Sequence, residues 1–311
     1  MGTIDICVCT FRRPSVVDTL VTIARQSAVR EWQVRVIVAD NDEQPSAREA
    51  VEATARDLGL AVTYVHAPSR NISIARNACL DAVSAEWVSF IDDDEVAPPD
   101  WLERLLARRD EHDIVFGRSQ AVYDPHSTAA WMIAADLHSN RISGNDLAHN
   151  GYTCNVLLRQ SWLDRHRLRF DLQLGLSGGE DTIFFEQAQR VGARFGYAED
   201  AVVFEDVPPH RATLGWLLKR RFRAGQIHRR VLRERGAPVA RSTAMAVAKA
   251  GFCGGATLVD AFRPARRAQH LLRGTLHIGF IASALGARTY QEYAGAGAGA
   301  GASDSATRQA G

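Results

Sequence analysis

From Ile4 to Ile91 the chain alternates short, almost unbroken apolar runs with segments of helical periodicity, and few folds accommodate that alternation. The runs Ile4 to Cys9, Val34 to Ala39, Val62 to Val65 and Trp87 to Ile91 read as strands. Between them, Val16 to Ala24, Ala47 to Leu58 and Ile72 to Val83 read as helices. Strands that are apolar on both faces, with helices interleaved, predict an α/β fold with a mostly parallel sheet covered on both sides. Pro14 stops the first strand from continuing, and Gly59 supplies the left-handed residue that closes the second helix. Ser46 with Glu49 three residues on has the pattern of a capping box at that helix's start.

Such sheets bind ligands beyond the carboxyl ends of their strands, so the residues that follow each run carry the functional information. All four are polar: Thr10-Phe11-Arg12-Arg13, Asp40-Asn41-Asp42, Ser69-Arg70-Asn71 and Asp92-Asp93-Asp94-Glu95. After Pro99 the pattern loosens. A helix to about Arg108, a strand at Ile114 to Phe116, a strand at Tyr152 to Leu158, a helix at Asp181 to Arg190 and a strand at Val202 to Glu205 are expected before a long helix from about Leu214.

The 311 residues carry a formal net charge of +1, so no overall field attracts nucleic acid and any electrostatic partner must be met by a local patch. One such patch is Arg211 to Arg241, where Lys219, Arg220, Arg221, Arg223, Arg229, Arg230, Arg233 and Arg235 face the single acid Glu234. Further on, small and apolar residues dominate from Ala244 to Leu258 and from Leu271 to Leu285. Lys249, Asp260 and Arg273 interrupt them before any run reaches the roughly 18 residues of a spanning helix. Helices packed on the domain or lying on a surface are expected there, followed from Gly295 by an Ala/Gly tail with nothing to bury. Cys7, Cys9, Cys79, Cys154 and Cys253 form no CxxC pair and read as reduced core residues, and no secretory or myristoylation pattern opens the sequence, so a cytoplasmic location is expected.

Three adjacent aspartates repel one another unless a cation neutralises them, which makes Asp92, Asp93 and Asp94 a candidate metal site, with a solvated acidic turn as the bland alternative. In an extended segment Asp92 and Asp94 would point one way and Asp93 the other. A calcium loop is excluded by Ala97, which stands where glycine is required.

Ile6-Cys7-Val8-Cys9-Thr10-Phe11-Arg12-Arg13, Val38-Ala39-Asp40-Asn41, Ala75-Arg76-Asn77, Phe90-Ile91-Asp92-Asp93-Asp94, Gly179-Glu180-Asp181 and Arg220-Arg221-Phe222 follow one another in the order seen in family 2 glycosyltransferases. The resemblance covers roughly residues 4 to 225 and is strongest to bacterial enzymes that extend exopolysaccharide repeat units of the succinoglycan type.

That resemblance implies a GT-A catalytic domain over residues 1–225; composition makes 226–294 a helical region, either membrane-associating or packed on the domain, and 295–311 a disordered tail. The resemblance implies that Thr10, Phe11 and Arg12 line the base and ribose of a UDP-sugar, that Asp40 holds the uracil ring, that Asp93 meets the ribose and that Asp94 binds Mn2+ or Mg2+ on the diphosphate. Asp92, Asn71, Arg76, Glu180, Arg220 and Arg221 are the further expected nucleotide-sugar contacts, against capping, helix-dipole or solvated-surface roles for the same residues. His210 stands as a possible further metal ligand.

A sugar hydroxyl attacking an anomeric carbon must lose its proton, and Asp181, after Ser177-Gly178-Gly179-Glu180 at a helix start, is the candidate base. The family's reaction resembles a single inverting displacement, for which one base suffices. The Gln-x-x-Arg-Trp of processive synthases is absent, since Leu218 and Phe222 occupy its ends, so one sugar is added per encounter. The expected acceptor is a polyprenyl-diphosphate-linked glycan met at an anionic membrane surface on its inner face, with the basic helix at the interface. A nucleotidyltransferase would place a glycine-rich basic loop after the first strand, where Thr10 to Pro14 has no glycine. A non-catalytic binding module would not need a base beside a metal site.

Overall fold

The computed structural model describes residues 1–142 and 151–288, so the tail expected at 295–311 lies outside the described residues. In chain order the elements are β1 (Gly2–Thr10), α1 (Val16–Ala24), β2 (Trp32–Asp40), α2 (Arg48–Leu58), β3 (Val62–His66), α3 (Ile72–Ala82), β4 (Trp87–Ile91) and β5 (Glu95–Val96). They continue with α4 (Trp101–Leu106), β6 (Ile114–Val122), α5 (Ala130–Ala135), β7 (Asn155–Arg159), α6 (Gln160–His166), α7 (Glu180–Arg190) and β8 (Phe195–Asp206). The helices α8 (Leu214–Glu234), α9 (Val239–Val259) and α10 (Pro264–Ala284) follow.

The sheet has eight strands in the order β3-β2-β1-β4-β7-β6-β8-β5. From β3 to β4 every pairing is parallel, as the apolar runs predict. Ile4, Ile6 and Val8 of β1 bury one face against Leu20 and Ile23 of α1 and Val51 of α2, while Cys7 faces Ala75, Cys79 and Leu80 of α3. Each large aliphatic side chain so buried contributes roughly 1.5–3 kcal/mol, and that two-sided burial is why the strands are not amphipathic. All five cysteines are free, and all but the half-buried Cys9 are buried.

Beyond β4 the sheet turns mixed: β7 runs antiparallel to both β4 and β6, β6 pairs parallel with β8, and β5 pairs antiparallel with the end of β8. This positions the site. Because β7 enters where β4 leaves, with Asn155 opposite Ile91, the residues just before β7 lie beside the aspartates just after β4. At the sheet's far edge Glu95 of β5 is opposite Glu205 of β8.

One expected local device is replaced. No side chain caps α2 from Ala47, and the Ala47 amide donates instead to Asp40 Oδ2 at 2.9 Å. The helix starts with Ala47, not Ser46, at its N-cap, and the Ser46 side chain bonds Asp42, so the capping box does not form. Gly59 does close the helix, at φ 62°.

Among the C-terminal helices α10 packs on α8, and α9 packs on α10 in turn. Gly225 and Gly279 let α8 and α10 meet backbone to backbone: a Cβ on Gly225 would lie 1.9 Å from the Leu276 carbonyl oxygen, and one on Gly279 2.0 Å from that of Phe222. Among the described residues no helix is long and apolar enough to cross a membrane.

Candidate active site

The aspartates after β4 form a turn, not the extended segment expected, with the Glu95 amide donating back to the Asp92 carbonyl. Asp93 turns inward with its side chain 6% exposed, Asp94 is 21% exposed and Asp92 46%. Arg13 Nη1 donates to Asp93 Oδ1 at 2.9 Å and to Asp94 Oδ2 at 2.5 Å, so one guanidinium tethers β1 to two of the three carboxylates.

A cavity of about 630 Å³ opens beside this turn. Asp92 and Asp94 line it from β4, Arg13 from β1, Arg76 from α3 and Tyr152 to Cys154 from the entry to β7. Glu180 and Asp181 line it from the start of α7, Glu205 from β8, and Trp216, Arg220, Arg221 and Arg223 from α8. Asp181 reaches it because Gly178 and Gly179 adopt φ 76° and 87°, conformations in which a side chain is strained; a Cβ at Gly179 would also lie 2.5 Å from Ile227 Cδ1. The glycines therefore set a fixed entry angle for α7.

Burial and like charge crowd these carboxylates. Burial, then Glu180, raise Asp181 to about 6, a value suited to a base near neutrality. Burial raises Asp93 to about 6 against the pull of Arg13, and burial followed by Asp94 raises Glu205 to about 7. Burial also raises Asp92, with Asp94 adding to it.

No group of three metal-ligating side chains is gathered among the described residues. The donor set nevertheless suits Mn2+ or Mg2+ arriving with a diphosphate, because such ions take one or two carboxylates and complete their shell with phosphate oxygens and water. Asp94 and Asp92 offer those carboxylates at the cavity wall, and the repulsion that adds to burial in raising Asp92 and Glu205 is what a cation would relieve. His210 is exposed and is not among the lining residues.

Other expected site residues gather at the ends of β1 and β2. Thr10 is buried at the end of β1 and pairs in register with Asp40 at the end of β2. Asp40 is fully buried and accepts from the Asp42 amide, the Ala47 amide and the Tyr64 hydroxyl. Arg12, at φ 54°, grips Asp42 through Nε at 2.9 Å to both carboxylate oxygens, with its guanidinium over the Phe11 ring at 5.2 Å. Phe11 itself is half-buried.

Three residues expected as nucleotide contacts have structural partners. Asn71 caps α3: its Oδ1 accepts from Ser73 and Ile74 and its Nδ2 donates to the Leu172 carbonyl, and it does not line the cavity. The capping and loop bonds engage both ends of its amide. Arg76 and Glu180 form a buried ion pair with each other, at 7% and 5% exposure, so each reaches the cavity already neutralised. Arg220 and Arg221 do line the cavity, Arg220 with its guanidinium 5.4 Å from the Trp216 ring, whereas the neighbouring Lys219 is exposed.

Arg13, Tyr152, Glu205 and Arg211 were not singled out by the sequence. Arg211 Nη1 donates to Glu205 Oε1 at 2.9 Å, closing the cavity edge opposite Asp94. Arg13 had a sequence signal as the cation next to Arg12 facing an acidic triplet in need of one, and Arg211 as the first residue of the basic stretch.

Residues 5–167 match the model of the family described as Glycosyl transferase family 2. The chain is 43% identical over 295 residues to the succinoglycan biosynthesis protein ExoM of Rhizobium meliloti (strain 1021), over 93% of this chain and 95% of that protein. It is similar in structure to the mannosyltransferase PcManGT from Pyrobaculum calidifontis in complex with GDP-Man and Mn2+, at a TM-score of 0.61 and 18% identity over 90% of this chain and 86% of that one. It is also similar to S. aureus TarS 1-349 in complex with UDP-GlcNAc, at a TM-score of 0.54 and 16% identity over 93% of each chain. The two structural likenesses bear on the fold and agree with a GT-A-type sheet. A near full-length relative and the family match over the strands that carry Asp40 and the aspartate triplet go further: this chain belongs to glycosyl transferase family 2 and is a glycosyltransferase.

Proposed function

We propose that this chain moves one sugar, glucose or a close relative, from a UDP-sugar to a hydroxyl of a polyprenyl-diphosphate-linked oligosaccharide, with inversion, in bacterial exopolysaccharide or cell-surface glycan synthesis. The observation that carries this reading is Asp181, raised to about 6 and facing the same cavity as Asp92 and Asp94. The succinoglycan role in the name of the 43% identical relative supports the product class, and the UDP-GlcNAc in the TarS structure supports the donor class.

In this reading residues 1–225 form the catalytic unit and 226–294 a helical appendage that faces an anionic membrane, where the lipid-borne acceptor is met. Asp40 orients the uracil ring with its remaining lone pair, Thr10, Phe11 and Arg12 flank base and ribose, and Asp93 meets the ribose. Asp94, with Asp92 beside it, would hold Mn2+ or Mg2+, which when bound supplies Lewis-acid stabilisation to the departing diphosphate. Arg220 and Arg221 add positive charge to the same oxygens. Asp181 takes the acceptor hydroxyl proton as that oxygen bonds to the anomeric carbon. The carbon–oxygen bond to the diphosphate breaks in the same displacement, and UDP leaves with the electron pair. Arg76 and Glu180 position Asp181 from behind.

Purified protein screened against a panel of nucleotide sugars, with and without Mn2+, tests this through donor hydrolysis and thermal shift. Selective Mn2+-dependent stabilisation by one UDP-sugar is expected, and indifference to every UDP-sugar would contradict the reading.

A further inference from the structure

The turn between α9 and α10 presents apolar side chains to solvent to an unusual degree. Phe262 is 99% exposed, Val259 83% and Leu258 79%, and Phe252, two turns before Val259 on the same face of α9, is 73% exposed. The outward side of α9 continues this surface: a Cβ at Gly251, Gly254 or Gly255 would meet nothing within 4 Å, and from Ser242 to Val259 the helix has one charged residue, Lys249. Exposed apolar clusters of this kind mark interaction sites, and burying each such side chain is favourable by roughly 1.5–3 kcal/mol.

The surrounding charge selects the partner. From Arg235 to Arg288 there are eight arginines and lysines and a single acid, Asp260. That acid is already occupied, by Arg263 Nη1 at 3.3 Å and His270 Nε2 at 3.2 Å. Arg266 and Arg267, both exposed, follow Phe262 by one turn. A second copy seated on this face would bring arginine against arginine, whereas an anionic lipid surface offers headgroup phosphates to the arginines and acyl chains to Phe262, Val259 and Leu258. No described helix is long and apolar enough to span, so the matching mode is shallow insertion in the plane of the interface.

We infer that the α9–α10 turn is the element that docks this protein on anionic membrane, by inserting Leu258, Val259 and Phe262 while Arg266 and Arg267 engage lipid phosphates. The inference deepens the proposed lipid-borne acceptor by naming the surface that brings the enzyme to it, but membrane binding is measured without any substrate.

Full-length protein is co-sedimented with phosphatidylglycerol-rich vesicles and with pure phosphatidylcholine vesicles, across a salt series. Binding to the anionic vesicles that weakens with salt is expected. A Leu258→Ser, Phe262→Ser double variant should bind them about tenfold or more weakly. Arg266→Gln with Arg267→Gln should lose the preference for anionic over neutral lipid. These side chains are exposed, so thermal unfolding of both variants should match the wild type, as should UDP-sugar hydrolysis in solution. Failure of the wild type to bind, or equal binding by the double apolar variant, would overturn the inference. So would a wild-type dimer, seen by light scattering, that the apolar variant dissociates. Loss of UDP-sugar hydrolysis in the wild type, by contrast, would count against the transferase reading alone.

Discussion

Arg76 on α3 and Glu180 at the start of α7 lie 104 positions apart and form a buried ion pair immediately beside Asp181. The pair joins the parallel half of the sheet to the helix that carries the proposed base. A charge left without its partner at such depth is destabilising by about 3–5 kcal/mol. Glu180→Leu should therefore lower stability by that order in urea denaturation, and Arg76→Met added to it should recover most of the loss. Additive losses in the double variant would mean that the two side chains do not act as a pair.

Asp181 is raised to about 6, first by burial and then by Glu180. A base must be deprotonated, so kcat/KM should fall as pH drops through about 6 and level off above it. The stability effect has the opposite sign. A carboxyl whose folded value lies above its unfolded one disfavours the folded state when ionised, and that penalty disappears as pH falls from above 6 towards 4. Asp181→Asn should thus melt at a higher temperature than wild type at pH 7.5, with the difference shrinking at pH 4.5. Equal melting temperatures at both pH values would show that Asp181 is not held in a strained charged state.

Asp94 is the carboxylate proposed to hold the divalent cation. In wild type, calorimetry should show tighter UDP binding with Mn2+ than with EDTA, and Asp94→Ala should bind UDP equally in both. A variant that retains the full Mn2+ effect would move the metal to another carboxylate.

Gly225 permits the close approach of α8 to α10. Gly225→Ala would force the helices apart, and overpacking of this kind is destabilising by about 1–3 kcal/mol. Because Arg220 and Arg221 project from the preceding turn of α8, UDP affinity should weaken too. Gly251→Ala, in open space on α9, should instead be neutral or stabilising by up to about 1 kcal/mol, and thermal melts of the two variants make the comparison.

The parallel half of the fold was legible because both faces of β1, β2 and β4 are buried, which leaves an apolar run that periodicity detects. The polar residues at the ends of those strands were legible for the same reason, since a parallel register brings Thr10 level with Asp40. What escaped was long-range. Tyr152 reaches the site through the antiparallel entry of β7, and Glu205 through its register with Glu95, and neither pairing leaves a local pattern. Ser46 and Asn71 show the reverse. Both carry local capping signals, but α2 starts with Ala47 and not Ser46 at its N-cap, whereas Asn71 does cap α3.

The central claim is that Asp181 acts as the base of an inverting transfer, and one variant tests it most directly. Asp181→Asn keeps the shape of the side chain and removes its capacity to accept a proton. Transfer from the UDP-sugar identified by screening should fall by about 10²–10⁴-fold while Mn2+-dependent UDP affinity stays at the wild-type value. Wild-type turnover in Asp181→Asn would contradict the account.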